Sequence, residues 1–262
     1  MIPSAARSSS SGLRRRAALA LLGLAVVAGS AQAWSFSYGG HERVEGSGDV
    51  IAEVRELGSF DAIALAGSFN VQVRQGSSDK VEVRADRNLL PYIETRVSEG
   101  GRGRSLEIGT RKGYRLSASQ APQIIIEMRQ LRAAVVAGSG TIQVDAVKTG
   151  SLDLSVAGSG NLRFRDLAAD KLSVAVHGSG DLSLTGKATT LAVAVAGSGK
   201  VNARDLRCDE ARVSVAGSGD VDVNAARLLK VSIAGSGDVS YVGDPELSVS
   251  TAGSGKVRRL KP

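Results

Sequence analysis

Seven copies of Gly-Ser-Gly, beginning at Gly138, Gly158, Gly178, Gly197, Gly217, Gly235 and Gly253, punctuate the second half of this chain at steps of 18 to 20 residues. Each copy lies between alternating apolar runs, as in Leu191, Val193, Val195, Gly197, Gly199 and Val201, where every odd position is apolar or glycine. Period-two alternation with one buried face is the mark of a strand. A unit of about twenty residues made only of strand and turn signals cannot bury its apolar face by itself, so it must stack on copies of itself. The sequence therefore predicts an all-β parallel solenoid.

The alternation passes through Gly-Ser-Gly without a break in phase. Both glycines of each copy are then expected to face inward at a corner with no room for a side chain: Gly138 and Gly140, Gly158 and Gly160, Gly178 and Gly180, Gly197 and Gly199, Gly217 and Gly219, Gly235 and Gly237, Gly253 and Gly255. Glycine also admits the positive φ that a sharp corner can demand. In this phase Ser159, Ser179, Ser198, Ser218 and Ser236 point outward and stack about 4.8 Å apart. The other arrangement turns each serine inward, its hydroxyl bonded to corner backbone. The pattern leaves both open.

Residues 1–33 read as a secretory signal peptide: Arg14-Arg15-Arg16, a 12-residue apolar stretch over 17–28, and Ala31-Gln32-Ala33 before a cleavage expected between Ala33 and Trp34. That apolar stretch is too short to span a bilayer, and no later segment is apolar enough, so the mature chain is expected to be exported, periplasmic or secreted, without a transmembrane segment. Export removes four arginines and no acids, leaving 29 basic and 26 acidic residues, a net charge of +3. With only nine aromatic residues besides, nucleic acid is not an expected partner. The single Cys208 can form no internal disulfide and is expected to be buried and inert.

Along the mature chain, residues 34–45 are polar and glycine-rich and are expected to be flexible. Residues 46–132 read as an irregular β region that caps the solenoid, and 133–262 as its regular coils. Within the cap, strands are expected near 51–57, 60–65, 81–85, 93–97, 106–108 and 124–128, with a bend or single helical turn at 88–92. Residues 99–104 and 109–121 read as loops, the second basic through Arg111, Lys112 and Arg115, near Arg102 and Arg104. Ala66-Gly67-Ser68-Phe69-Asn70-Val71 matches Ala157-Gly158-Ser159-Gly160-Asn161-Leu162 position by position, so one degenerate coil lies in the first half, with Phe69 in place of the second glycine.

Glu53-Val54-Arg55 leading into Phe60-Asp61-Ala62-Ile63-Ala64-Leu65, then Gly67-Ser68-Phe69-Asn70-Val71, then the Gly-Ser-Gly tail, together resemble the auto-transporter adhesin head GIN domain family of bacterial exported proteins. The resemblance covers roughly residues 50–257. It implies a right-handed parallel β-helix similar in shape to pectin lyases, and a role in cell adhesion.

β-Helices of that shape include polysaccharide-processing enzymes, which need two positioned carboxylates and aromatic platforms. Here Asp181, Asp220 and Asp238 follow their corners, but Lys200, Lys256, Asn161 and Thr141 hold the same column, which is how a solvated face reads. His177 stands where Ala157, Ala196 and Ala216 stand, and His41 lies in the N-terminal segment, so no metal cluster is expected. No general base recurs beside the serines. Gly217-Ser218-Gly219-Asp220-Val221-Asp222 is one residue out of register with a calcium-binding nonapeptide. Coil steps of 19 and 20 exclude a hexapeptide acyltransferase helix. No catalytic, cofactor-binding or metal-ligating residue is assigned. The expectation is a non-catalytic adhesion, binding or scaffolding protein of the cell envelope, whose partner is an envelope or extracellular polysaccharide. A polysaccharide-processing enzyme and a purely structural periplasmic protein are the alternatives.

Overall fold

The computed structural model describes residues 42–100, 103–118 and 120–261; the expected signal peptide, the cleavage expected between Ala33 and Trp34, and His41 lie outside them. In chain order the strands are β1 (Glu42–Glu45), β2 (Val50–Arg55), β3 (Ala62–Gly67), β4 (Asn70–Gln75), β5 (Lys80–Asp86), β6 (Ile93–Gly100), β7 (Gly103–Thr110), β8 (Tyr114–Ser117) and β9 (Gln123–Met128). The regular part follows as β10 (Ala133–Gly138), β11 (Thr141–Val144), β12 (Val147–Gly158), β13 (Asn161–Gly178), β14 (Asp181–Gly197), β15 (Lys200–Gly217), β16 (Asp220–Gly235), β17 (Val239–Val242), β18 (Glu246–Gly253) and β19 (Val257–Arg259). A 3-10 turn, Leu90–Tyr92, is the one helical element among the described residues.

From β3 onward every coil pairs in parallel with the next, a parallel β-solenoid. The corner glycines form one unbroken column: Gly67 opposite Gly138, then Gly158, Gly178, Gly197, Gly217, Gly235 and Gly253. The alternation sets which side chains enter the lumen. Val174, Val193, Val213 and Val231 are buried there, while Ser173, Ala192, Arg212 and Lys230 between them are exposed. With no disulfide among the described residues, the stacked apolar lumen and the coil-to-coil backbone ladder hold the fold.

The two glycines of each corner do different work, which the unbroken phase did not distinguish. The first is not packed inside: Gly217 is half-exposed and has φ 126°, the left-handed region that only glycine enters cheaply. The second is buried, and its requirement is space: a Cβ on Gly219 would lie 2.6 Å from the Gly199 carbonyl oxygen and 2.6 Å from Val195 Cγ1 of the coil beneath. Corner backbone is satisfied from coil to coil, as the Ser218 amide donates to the Gly197 carbonyl at 2.9 Å.

β3 and β4 form the degenerate coil, with Gly67 against Gly138 and Asn70 against Thr141. A further layer lies beneath it, β7 parallel to β3 and β9 parallel to β4. Below that layer the chain reverses: β6 pairs antiparallel with β7, β5 with β9, and β2 with β5. The 3-10 turn joins β5 to β6 and buries Leu89, Leu90 and Ile93. Arg55 locks this floor by donating to the carbonyls of Ile93 (2.7 Å) and Leu90 (3.0 Å).

Two expectations need correction here. Residues 42–45, read as part of a flexible segment, form β1, and residues 109–121, read as a loop, contain its parallel partner β8. Each is too short and polar to announce itself, and each exists because the other is beside it.

Candidate functional site

All seven serines of the Gly-Ser-Gly corners, Ser139, Ser159, Ser179, Ser198, Ser218, Ser236 and Ser254, are exposed, and so is Ser68 of the degenerate coil. The first glycine turns the chain, the second sinks into the lumen, and the residue between them has nowhere to point but out. The result is a ridge of hydroxyls at the coil spacing, about 4.8 Å per step.

The wall leading into each corner is flat. Its outward column nearest the ridge runs Ala157, His177, Ala196, Ala216, Ala234 and Ala252 in register. The next runs Ala194, Ser214, Ser232 and Ser250. His177 is thus one exposed imidazole among alanines. The wall beyond the corner is polar and of mixed charge: Asn161, Asp181, Lys200 and Asp220 lie side by side. A shallow depression of about 200 Å³ there is lined by Arg163, Asp181, Ser183, Lys200 and Asn202 among others. Asp238 is engaged within the fold, accepting from the Lys256 amide at 2.9 Å and from Arg258 at 3.0 Å.

Below Ser68 the ridge gives way to something else. In the layer beneath, the chain leaves β7 at residue 110 and re-enters at β9, so residues 111–118 and 120–122 stand where a corner would be. This excursion carries Arg111, Lys112 and Arg115. Arg111 lies over the Tyr114 ring at 6.0 Å from its centroid, and Tyr114 packs on Tyr92 with centroids 4.6 Å apart. Arg104 does not join them. It sits at the other end of β7, roughly 23 Å away by strand rise, bonded to Ser59 at 2.7 Å and paired with Glu99 at 3.5 Å. Arg102 lies outside the described residues. The basic cluster expected from sequence therefore divides in two. The missing corner also explains Phe69: a Cβ on Gly140 would meet Gly67 and Phe69 carbonyls at 2.9 Å, but no stacked corner lies under Phe69, and its ring is buried in that space.

The other candidate chemistry is dispersed. Among the described residues no three His, Cys, Asp or Glu side chains are placed to hold a metal. An open depression of about 520 Å³ at the N-terminal end is lined by Glu53, Arg55, Pro91, Glu94 and Arg96, but Arg55 is spent on backbone carbonyls and on Glu53 at 2.9 Å. Cys208 is buried with Sγ 3.2 Å from the Asn224 carbonyl, and burial, aided by Asp209, pushes its thiol up to about 12. A thiol so placed is not a nucleophile at neutral pH.

Residues 59–245 match the family described as "Putative auto-transporter adhesin, head GIN domain". The chain belongs to this family. Solved structures agree in fold. A "putative adhesin" from Bacteroides fragilis superposes with a TM-score of 0.76 at 23% identity, covering 83% of this chain and 100% of that one. A "putative lipid binding protein" from Parabacteroides distasonis gives 0.70 at 28% identity over 84% and 100%. A "putative adhesin" from Parabacteroides merdae gives 0.67 at 23% over 84% and 100%. A search of curated proteins found no match. Head GIN domains and these neighbours carry adhesin and binding names rather than enzyme names. No helix among the described residues is long and apolar enough to cross a membrane.

Proposed function

We propose that this head GIN domain is an exported, non-catalytic binding or scaffolding protein of the bacterial cell envelope, and that it holds a polysaccharide along its serine ridge and the flat wall beside it. The observation that carries the reading is the unbroken column of exposed hydroxyls flanked by alanine and serine. Each hydroxyl contributes one weak hydrogen bond, but a polymer that meets several evenly spaced sites at once gains by multivalency. A chain of sugars fits a long shallow surface better than any pocket here would hold a small molecule.

The test is retention of the protein on purified cell-wall and capsular polysaccharides. Replacing Ser159, Ser198 and Ser236 with glutamate and Ser179 and Ser218 with lysine should abolish retention and leave the melting temperature unchanged, since these side chains touch no core and neighbouring charges alternate in sign. A second reading places acidic glycans or lipid headgroups on Arg111, Lys112 and Arg115. The basic excursion at the foot of the ridge favours it, as does the name of the Parabacteroides distasonis neighbour. Binding that survives the five serine changes and is lost on changing those three residues to alanine would select the second reading. Turnover of any polysaccharide by the purified protein would overturn the non-catalytic assignment.

A further inference from the structure

The lumen is closed at one end and open at the other. Leu229, Val231 and Ile233 of β16 are buried, and in β18 the same three columns continue as Leu247, Val249 and Thr251. Among the described residues nothing stacks on β18: all eight of its residues are exposed, with Leu247 at 42% and Val249 at 44%. Among the described residues β18 is in register with β16 alone, so its other edge of backbone donors and acceptors has no partner strand there. Protected edge strands carry charged residues, proline or a bulge. β18 reads Glu-Leu-Ser-Val-Ser-Thr-Ala-Gly, with a charge at its first residue alone and no lysine, proline or bulge along its length. The arginines that follow in β19 are folded back on the chain, Arg258 onto Asp238 and Arg259 onto Asp244.

We infer that this end is an interface, and that its occupant is a second copy of the same chain, joined through β18 about a two-fold axis. Four observations select that occupant. First, β18 is self-complementary when antiparallel. Centred on Val249, the pairing sets Val249 against Val249, Leu247 against Thr251 and Ser248 against Ser250 of the second copy, so lumen residues meet lumen residues and no like charges lie opposite each other. Second, Glu246, the one charged residue of β18, falls opposite Ala252 of the second copy in this register and has no ion-pair partner among the described residues, so the pairing sets no charge against another. Third, the opposite end is a different surface: its floor is filled by Leu89 and Leu90, and its edge strand β2 sets the exposed Val50 and Val54 among Glu53, Arg55 and Glu94. A head-to-tail contact would set the uncharged lumen strip of β18 partly against those charges and would propagate without closing, whereas the two-fold contact closes at two. Fourth, the joined lumens make one continuous core, the arrangement every other coil already has. The inference is independent of the ridge reading, since β18 contributes its edge and lumen face, not the serine corners.

The experiment is sedimentation velocity on the protein as processed by the cell, with two variants. The unmodified protein should show a concentration-dependent monomer–dimer equilibrium and no larger species. Val249→Lys sets two ammonium groups together at the two-fold centre and should yield monomer only, with an unchanged far-ultraviolet spectrum because the site is already exposed. Val249→Cys should form a disulfide-linked dimer on mild oxidation, because paired strands hold facing Cα atoms within disulfide reach and buried Cys208 does not compete. A Val54→Cys control on β2 should stay monomeric in the same oxidation. A monomer at all concentrations, open-ended oligomers, or a dimer that Val249→Lys does not dissociate and Val249→Cys does not trap would each overturn the proposal.

Discussion

The two ends of the solenoid solve the same problem in opposite ways. At the N-terminal end the chain reverses direction within residues 46–132, laying β6, β5 and β2 antiparallel under the parallel layers and closing the floor with Leu89 and Leu90. At the C-terminal end no further layer covers β18 among the described residues, and Leu247 and Val249 face solvent. Burial of a lumen side chain is therefore not a property of its own coil but of the presence of the next one. Stability in such a stack is close to a sum of coil terms and neighbour terms, so the two ends should respond differently to the same kind of change.

The largest contrast is in apolar truncation at the closed end. Leu89→Ala removes a fully buried side chain from the floor and should cost about 2–5 kcal/mol, read from a denaturant midpoint at constant slope. A cost under about 1 kcal/mol would mean that the floor is not a packed cap. Next comes the middle of the stack. Gly219→Val, forced against Gly199 backbone and Val195, should cost about 1–3 kcal/mol as an overpacked site does, and an unchanged melting temperature would contradict the close approach. The open end should be nearly indifferent: Leu247→Ala in dilute, monomeric protein is expected within about 0.5 kcal/mol of the parent, as for other exposed positions.

The smallest effect concerns pH. The Ser78 hydroxyl, at 2.6 Å, and the Arg74 guanidinium, at 2.7 Å, hold the Glu127 carboxyl below the usual carboxylate range. A carboxylate lowered by folding adds stability that is present above its unfolded value of about 4.3 and lost as pH falls through the folded one. Acid titration of stability should therefore be shallower below about pH 4.3 in Glu127→Gln than in the parent. Identical acid profiles would show that the contact contributes nothing.

The architecture was legible in the sequence wherever it was repeated. Val174, Val193, Val213 and Val231 could be placed in the lumen because parity and period agree across coils, and Gly67 could be matched to Gly158 for the same reason, a column the structure runs through Gly138. What was not legible is pairing that occurs once. Nothing in Lys80–Asp86 states that it runs antiparallel to both β2 and β9, since alternation is blind to strand direction. The separation of Arg104 from Arg111 was hidden similarly: β7 is a strand only because β3 and β6 flank it, and its extended length carries the two arginines apart. At the candidate surface, the two-residue period offered outward corner serines as one of two arrangements, and the structure has them exposed; what the period does not encode is the split between the first glycine, held at positive φ, and the second, held by lack of space.

Coil length varies, yet the corner column and the flat wall never slip. Every register shift falls on the remaining side, between Phe164 and Leu167, between Ser183 and Thr185, and between Ala203 and Arg207 and again between Cys208 and Glu210. Asp166, at φ 52°, and Gly186, at φ 125°, sit in or beside these adjustments. One side of the molecule thus keeps time while another absorbs the remainder. Residues added there lengthen a bulge rather than displace a column, so that side is where a reporter peptide or an antigenic loop could be grafted without disturbing the hydroxyl ridge, and where chains of this fold are free to diverge in length.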